Sequence, residues 1–320
     1  MPEMTLFLRD EHVAQCVSMK EMLTSIENMQ ARYGQGEAYN LGRRKIIAET
    51  GMLSVMGGGL YFDGVLGVKT YTVVRGSYSF QVSLYDAATG KLLCYTQANR
   101  LGQLRTGATT GVAVKHLANR GPLTVGIIGT GGQAPTQLQA VASVRELAGV
   151  KAFSRNAERR ADFAARMSES LGIEVKAAET NAEAVEGCDL VIGIAATTEP
   201  VICGDWLNEG ATVIGAGPTT WRVTEVDERT LTRADKLFVD SLDQAPIEAG
   251  DIAAAVDKGL LNWSQLSELR HAVCGAISGR DNESQIVYAK LMGTGVADVA
   301  AAKLAYENAR ERGLGTEMEW

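Results

Sequence analysis

The segment TVGIIGTGGQA, residues 124–134, constrains this chain more than any other stretch. An apolar run of strand character passes directly into Gly129-Thr130-Gly131-Gly132-Gln133-Ala134. Leu138, Val141, Val144 and Ala148 then recur at three- and four-residue intervals, the core-facing stripe of a helix. Gly129 lets the chain turn tightly, Gly131 lets the backbone approach a pyrophosphate, and Ala134 fills the third small position where helix meets strand. The free amides and dipole at the start of such a helix favour phosphate. Strand, glycine turn and helix in this order point to a dinucleotide site when further βαβ units follow.

They follow here. VKAFSR (150–155), EVKAA (174–178), DLVIGIAA (189–196), ATVIGAG (211–217) and DKLFVDS (235–241) are strand candidates, separated mostly by helical segments. Such alternation implies a parallel, doubly wound sheet of Rossmann type. Ahead of it, residues 4–10 read as a short strand and 11–32 as a helix, with Val13, Val17 and Met22 near helical spacing. Segments 39–49, 51–62 and 65–74, then YSFQVSLYD and KLLCYTQA joined by a turn at Gly90, are strands without intervening helices, hence a largely antiparallel sheet. GATTGVAVKHLA, from residue 107, reads as a closely packed helix. A long helix from Gly295 to about Arg310, with Val296, Val299, Ala300 and Leu304 on one face, is expected to return to the first domain. At 320 residues the chain exceeds what one core serves. The expected fold class is α/β, a Rossmann domain at 119–295 inserted into a discontinuous α+β domain formed by 1–118 plus 296–320.

Charge narrows the partners. Lys and Arg number 31 against 38 Asp and Glu, a formal −7, and no basic block stands out, which argues against a nucleic-acid or lipid surface. No apolar run approaches the roughly 20 residues that span a bilayer. Cys16, Cys94, Cys188, Cys203 and Cys274 are scattered, with no CxxC pair and no signal peptide, so reduced thiols in a cytoplasmic protein are expected. His12, His116 and His271 have no second ligand at metal spacing, so no catalytic metal is expected. Small molecules or proteins remain as partners.

The cofactor's identity should be legible at the end of the second Rossmann strand, where a carboxylate would bind the ribose 2′-hydroxyl. Phe153-Ser154-Arg155-Asn156 carries none. Ser154 and Arg155 suit a 2′-phosphate, which favours NADP(H) over NAD(H); the ordinary alternative is a surface arginine. Ala195 and Ala196, at the end of the fourth strand, are grouped with the cofactor residues. Arg105 stands just before the small-residue helix, so its cation would lie near a positive helix end unless an anion intervenes. A bound carboxylate would relieve that conflict, and so would a structural salt bridge.

LRTGATTGVAVKHLA resembles the signature of the ornithine cyclodeaminase and μ-crystallin family, an Arg-Thr pair opening a small-residue helix before the Rossmann strand. GRRKII, GVKTYT, GTGGQA, EAGDI, GRDNESQIV and GTGVADVAAA fall in the family's order from about residue 39 to the end. The resemblance implies a homodimer whose first domain supplies substrate binding and intersubunit sheet contacts, with the substrate facing the nicotinamide. It assigns Lys69 and Arg105 to the substrate α-carboxylate, with a third contact from GRRKII, for which Arg44 is preferred to Arg43. Lys69 is also the candidate proton donor if neighbouring arginines depress its pKa. Leu291 and Gly293 are placed near the nicotinamide.

One departure stands out. Family cyclodeaminases carry an aspartate acid/base after the fifth strand, where this chain has Gly217; Asp227 is a second choice, otherwise a surface residue near a helix start. The expected activity is therefore NAD(P)H-dependent reduction of an α-imino acid or cyclic ketimine acid to an amino acid. An imino-dicarboxylate is included if Arg75, Arg100 or Arg222 binds a second carboxylate. Ornithine or lysine cyclodeamination with tightly bound NAD is the runner-up. A non-catalytic NADPH- or ligand-binding protein is the alternative of another class.

Overall fold

The computed structural model describes residues 4–319. In chain order, β1 (Met4–Leu8), α1 (Asp10–Cys16), α2 (Met19–Gly34), β2 (Ala38–Ile47), β3 (Gly51–Leu60), β4 (Val65–Val74), β5 (Ser77–Asp86) and β6 (Leu92–Gln97) precede α3 (Asn99–Leu117). Then come β7 (Leu123–Ile128), α4 (Ala134–Val144), β8 (Leu147–Phe153), α5 (Ala157–Leu171), β9 (Val175–Ala177), α6 (Asn181–Val185), β10 (Leu190–Gly193), β11 (Thr212–Gly215) and α7 (Glu228–Arg233). They are followed by β12 (Lys236–Val239), α8 (Ala245–Glu248), α9 (Gly250–Asp257), β13 (Leu266–Glu268), α10 (Leu269–Val273) and β14 (Val287–Lys290). Last are α11 (Gly295–Glu311) and β15 (Thr316–Glu319).

The chain divides into two compact units. Of the described residues, one unit takes those up to Ala108 and those from Gly293 onward; the other is Thr109–Met292. The first division falls inside α3, ten residues before the expected position 118, because α3 runs unbroken from Asn99 to Leu117. The second comes three residues before the expected 296.

The first unit holds a seven-stranded sheet in the order β15-β1-β6-β5-β4-β3-β2, antiparallel except for the β1–β6 pair. α11 covers one face, and glycine sets how closely it sits. A Cβ at Gly58 would stand 2.5 Å from Val296 Cα, and one at Gly67 would stand 2.8 Å from a Val299 methyl. Alanines 297, 300, 301, 302, 305 and 309 bury the rest of that helix without forcing it away. Where a single helix is expected over 11–32, two form, because Ser18 starts a new one. Its hydroxyl accepts from Glu21 N at 3.3 Å and its N–H donates to the Glu21 carboxylate at 2.8 Å, a capping box.

The second unit is a doubly wound sheet of eight parallel strands, β13-β12-β14-β11-β10-β7-β8-β9. Strand residues alternate between two cores. Val125, Ile127, Leu190, Ile192 and Ile214 pack with Leu138, Val141, Phe163 and Met167. Ile128, Val191 and Val213 pack with Val185, Leu231 and Ile252 on the opposite face. β13 and β14 lie outside the six anticipated strands, and β14 is central, between β11 and β12. From β7 the sheet grows first through β8 and β9, then reverses to β10 on the other side. At such a switch point, beyond the carboxyl ends of β7 and β10, doubly wound sheets place their ligands.

Gly58→Ala is expected to lower stability by about 1–3 kcal/mol, because the new methyl meets backbone that cannot step aside. Gly102→Ala, on α3 with nothing within 4 Å of the added Cβ, is expected to be neutral or stabilising by about 1 kcal/mol. Urea denaturation checks both; equal midpoints would show that α11 does not rest on β3.

Candidate active site

In the first unit, register brings a row of side chains to the face beneath α11. Met56 on β3 pairs with Lys69 on β4, and Lys69 pairs with Val82 on β5. On β2, Leu41 pairs with Gly57 and Arg44 with Val55, so Gly42 and Arg43 together stand opposite Met56. This β-bulge shifts the alternation of the edge strand by one residue. Arg43 is thereby buried and Arg44 exposed, with Arg44 Nη1 bonded to the Arg43 carbonyl at 3.1 Å. Of the two arginines it is Arg43, not the preferred Arg44, that turns toward the face beneath α11.

Asp298, on α11, is the centre of this group. Its Oδ1 accepts from Lys69 Nζ at 2.8 Å and from Arg105 Nε at 2.9 Å, and its side chain is fully buried. Burial alone would raise the Asp298 carboxyl, but Arg105, then Lys69 and Arg43, outweigh it and hold the pKa below the usual range. Lys69 goes the other way: burial, reinforced by Arg105 and Arg43 against the pull of Asp298, lowers it to about 8. Its ammonium also lies 5.4 Å from the Phe80 ring centroid. Three cations thus share one carboxylate, and Asp298 Oδ2 has no hydrogen-bond partner among the described residues.

Two expectations change here. Arg105 does not precede a helix but lies within α3, whose first turn is held by Asp10, accepting from Arg100 N at 2.7 Å and Asn99 Nδ2 at 2.8 Å. The conflict between a cation and a helix end therefore disappears. Arg105 is instead directed to Asp298. Gly293, assigned to the cofactor, lies beside Arg43 and Arg105. Its carbonyl is 3.5 Å from Arg43 Nη2, its φ is +81°, and a Cβ would stand 2.7 Å from Arg105 Nη1, so only glycine fits. Leu291 is a core residue of the second unit. Arg75 sits in the turn between β4 and β5, Arg100 bonds Gln103, and Arg222 lies against Trp221.

In the second unit the glycine turn lies at the end of β7. Gly129 has φ +112°, and a Cβ there would stand 2.7 Å from the Ile194 carbonyl, so the turn and the end of β10 touch backbone to backbone. Gly131 faces open space. The N–H groups of Thr130, Gly131 and Gly132 donate to nothing among the described residues. Gln133 and Ala134 lead into α4. Free amides at the start of an eleven-residue helix, with room for a ligand at Gly131, fit a dinucleotide pyrophosphate. Thr130 and Ser154 hydroxyls are bonded at 2.8 Å, which ties the turn to the end of β8, and Arg155 beside them is exposed. Ala195 is half-buried and Ala196 exposed. Asp227 caps α7, accepting from Thr230 N at 2.8 Å.

The family model described as ornithine cyclodeaminase/mu-crystallin matches residues 3–313. The chain belongs to this family. Among curated relatives, the Δ1-pyrroline-2-carboxylate reductase of Bacillus cereus is 32% identical over 263 residues, 80% of this chain and 81% of that protein. Among solved structures, that of Thermococcus litoralis Δ1-pyrroline-2-carboxylate reductase in complex with NADH and L-proline is 33% identical. It covers 98% of this chain and 100% of its own, with a TM-score of 0.94. An archaeal alanine dehydrogenase dimer with bound NAD is 29% identical, covering 99% and 100%, with a TM-score of 0.93. At Gly217, where the resemblance led to the expectation of an aspartate in cyclodeaminases, this member of the ornithine cyclodeaminase/mu-crystallin family has no room for a side chain. A Cβ at Gly217 would lie 2.2 Å from Glu225 Oε1.

Asp298 is the residue that motif reading passed over. A lone carboxylate inside the small, apolar run GVADVAAA is a buried charge that must be paired, and that was the available signal. Asp298→Asn strips the counter-charge from two buried cations and is expected to cost about 3–5 kcal/mol of stability. Arg44→Ala is expected to change stability by no more than about 0.5 kcal/mol. Denaturant midpoints decide, and a near-neutral Asp298→Asn would show that the ion cluster is not closed.

Proposed function

We propose that this protein is a nicotinamide-dependent reductase that delivers hydride to the C=N carbon of an α-imino acid, cyclic ketimine acids included, and releases the α-amino acid. The observation that carries this reading is the convergence of Lys69 and Arg105 on buried Asp298 with Arg43 beside them, in a chain whose relatives reduce Δ1-pyrroline-2-carboxylate. A substrate carboxylate would receive charge-assisted hydrogen bonds from these buried cations. Asp298 Oδ2 remains as an acceptor for the N–H of a protonated imine. Lys69, at about 8, is protonated at neutral pH and gives up its proton more readily than a free lysine. One hydride on carbon and one proton from Lys69 on nitrogen complete the reduction.

A bound reduced nicotinamide supplies the hydride. Residues 129–134 would hold its pyrophosphate, with Ala195 and Ala196 beyond the end of β10. Ser154 and Arg155, without a carboxylate beside them, suit a 2′-phosphate, so NADPH is proposed as the preferred donor; the Thermococcus relative was solved with NADH. Cyclodeamination is disfavoured because Gly217 carries no carboxylate, and the Glu225 carboxylate beside it is buried and engaged by the Ala195 and Gly217 N–H groups. A homodimer is also proposed. β2 is an edge strand exposing Tyr39, Leu41, Ile46 and Ile47, an apolar row that a second copy would cover.

The test is to incubate the protein with NADPH or NADH and Δ1-pyrroline-2-carboxylate, pyruvate with ammonia, or ornithine. Cofactor oxidation with an imino acid is expected. Proline and ammonia from ornithine without net oxidation, or cofactor binding without turnover, would overturn the reading. kcat/KM should fall above about pH 8 as Lys69 loses its proton, and Lys69→Arg should remove that limb. Arg43→Ala should raise KM for the imino acid on the order of tenfold or more, with Arg44→Ala within about twofold. Equal effects would return Arg43 to a structural role.

A further inference from the structure

A second buried ion cluster, wholly inside the Rossmann unit, has no part in the reaction described above. Glu225, Asp251, Tyr288 and Lys290 are all buried. Lys290 Nζ lies 2.9 Å from Asp251 Oδ2 and 3.5 Å from Glu225 Oε2, and the Tyr288 hydroxyl is 3.4 Å from Asp251 Oδ2. Asp251 Oδ1 accepts from the N–H groups of Glu225 and Val226, so the chain bearing Glu225 is fixed at its root.

The Glu225 carboxylate reaches across the carboxyl ends of two neighbouring strands. Oε1 accepts from Ala195 N, just past β10, at 3.3 Å, and Oε2 accepts from Gly217 N, just past β11, at 3.1 Å. Glycine clears its path: added Cβ atoms at Gly193 and Gly217 would lie 2.6 and 2.2 Å from its carboxyl group, and one at Gly215 would lie 2.8 Å from the Tyr288 hydroxyl. Ala195 is held from its other side too, because its N would lie 2.9 Å from a Cβ at Gly129 of the phosphate turn. A continuous set of contacts therefore runs from Lys290 through Glu225 and Ala195 to the turn, along the crevice where a Rossmann sheet binds dinucleotide.

We propose that Glu225 is a positioning residue for the nicotinamide half of the cofactor: its two oxygens hold the strand ends at Ala195 and Gly217, while Lys290 and Asp251 hold Glu225. This rests on the dinucleotide reading of the glycine turn. Glu225→Gln tests it, because an amide has one acceptor oxygen and sets its NH2 against one of the two N–H donors. The substitution leaves Lys290 and Asp251 as a neutral pair, so the variant is expected to fold.

The experiment is calorimetric titration of wild type and Glu225→Gln with the preferred reduced nicotinamide nucleotide, and with the ADP-ribose fragment carrying the same 2′ substituent. Positioning of the nicotinamide half predicts that Glu225→Gln weakens the whole nucleotide about fivefold or more, the scale of one lost hydrogen bond, and the fragment less than about twofold. Glu225→Asp, whose shorter side chain cannot reach both N–H groups, should give the same selective loss and serves if Glu225→Gln fails to fold. Equal loss of both ligands, or of neither, overturns the proposal while leaving the cofactor reading intact. A wild-type protein that binds neither ligand overturns both.

Discussion

The first unit depends on one carboxylate, Asp298, placed out of reach of water between Lys69 and Arg105. An isolated buried charge of either sign would be prohibitively costly, so none of these groups could stand where it does without the others. Asp298 reaches its partners because α11 lies close to the sheet, and it lies close because glycine and alanine form that contact. Arg43 joins them through a bulge and Arg105 through a helix that begins earlier than its motif suggests. Three cations are thus gathered around one buried carboxylate.

The second unit contains the inverse arrangement. A single cation, Lys290, serves two buried carboxylates, and the remaining acceptor capacity of Glu225 goes to backbone N–H groups at the ends of β10 and β11. The cation-rich cluster leaves Asp298 Oδ2 without a hydrogen-bond partner among the described residues. The carboxylate-rich cluster is completed by the protein's own backbone, as a rigid support requires.

Much of this was legible in the residues, and the rest failed for identifiable reasons. The glycine turn, the alternating segments behind it and the successive strands ahead of it located both sheets, because their signals are local in sequence. β14 escaped because IVYAK is a short apolar run, ambiguous between strand and helix without its neighbours. Arg43 and Arg44 are indistinguishable by type and adjacent in sequence, and only the bulge opposite Met56 decides which turns inward. Gly293 was assigned by resemblance to the nicotinamide, yet the Arg105 guanidinium stands where its side chain would be. Asp298, Glu225 and Lys290 each read as single charges in apolar or mixed stretches. Their partners lie tens to hundreds of residues away, a separation that motif spacing does not register.

In the proposed reaction Arg43, Lys69 and Arg105 are gathered around Asp298 to receive a substrate carboxylate. The most direct measurement is the number of protons taken up when pyrrole-2-carboxylate, a planar unreactive analogue, binds near pH 8, obtained by calorimetry in buffers of differing ionisation enthalpy. A carboxylate beside Lys69 should raise its pKa from about 8 and draw in a fraction of a proton, an uptake that disappears in Lys69→Arg. Binding without uptake, or the same uptake in the variant, would contradict the claim.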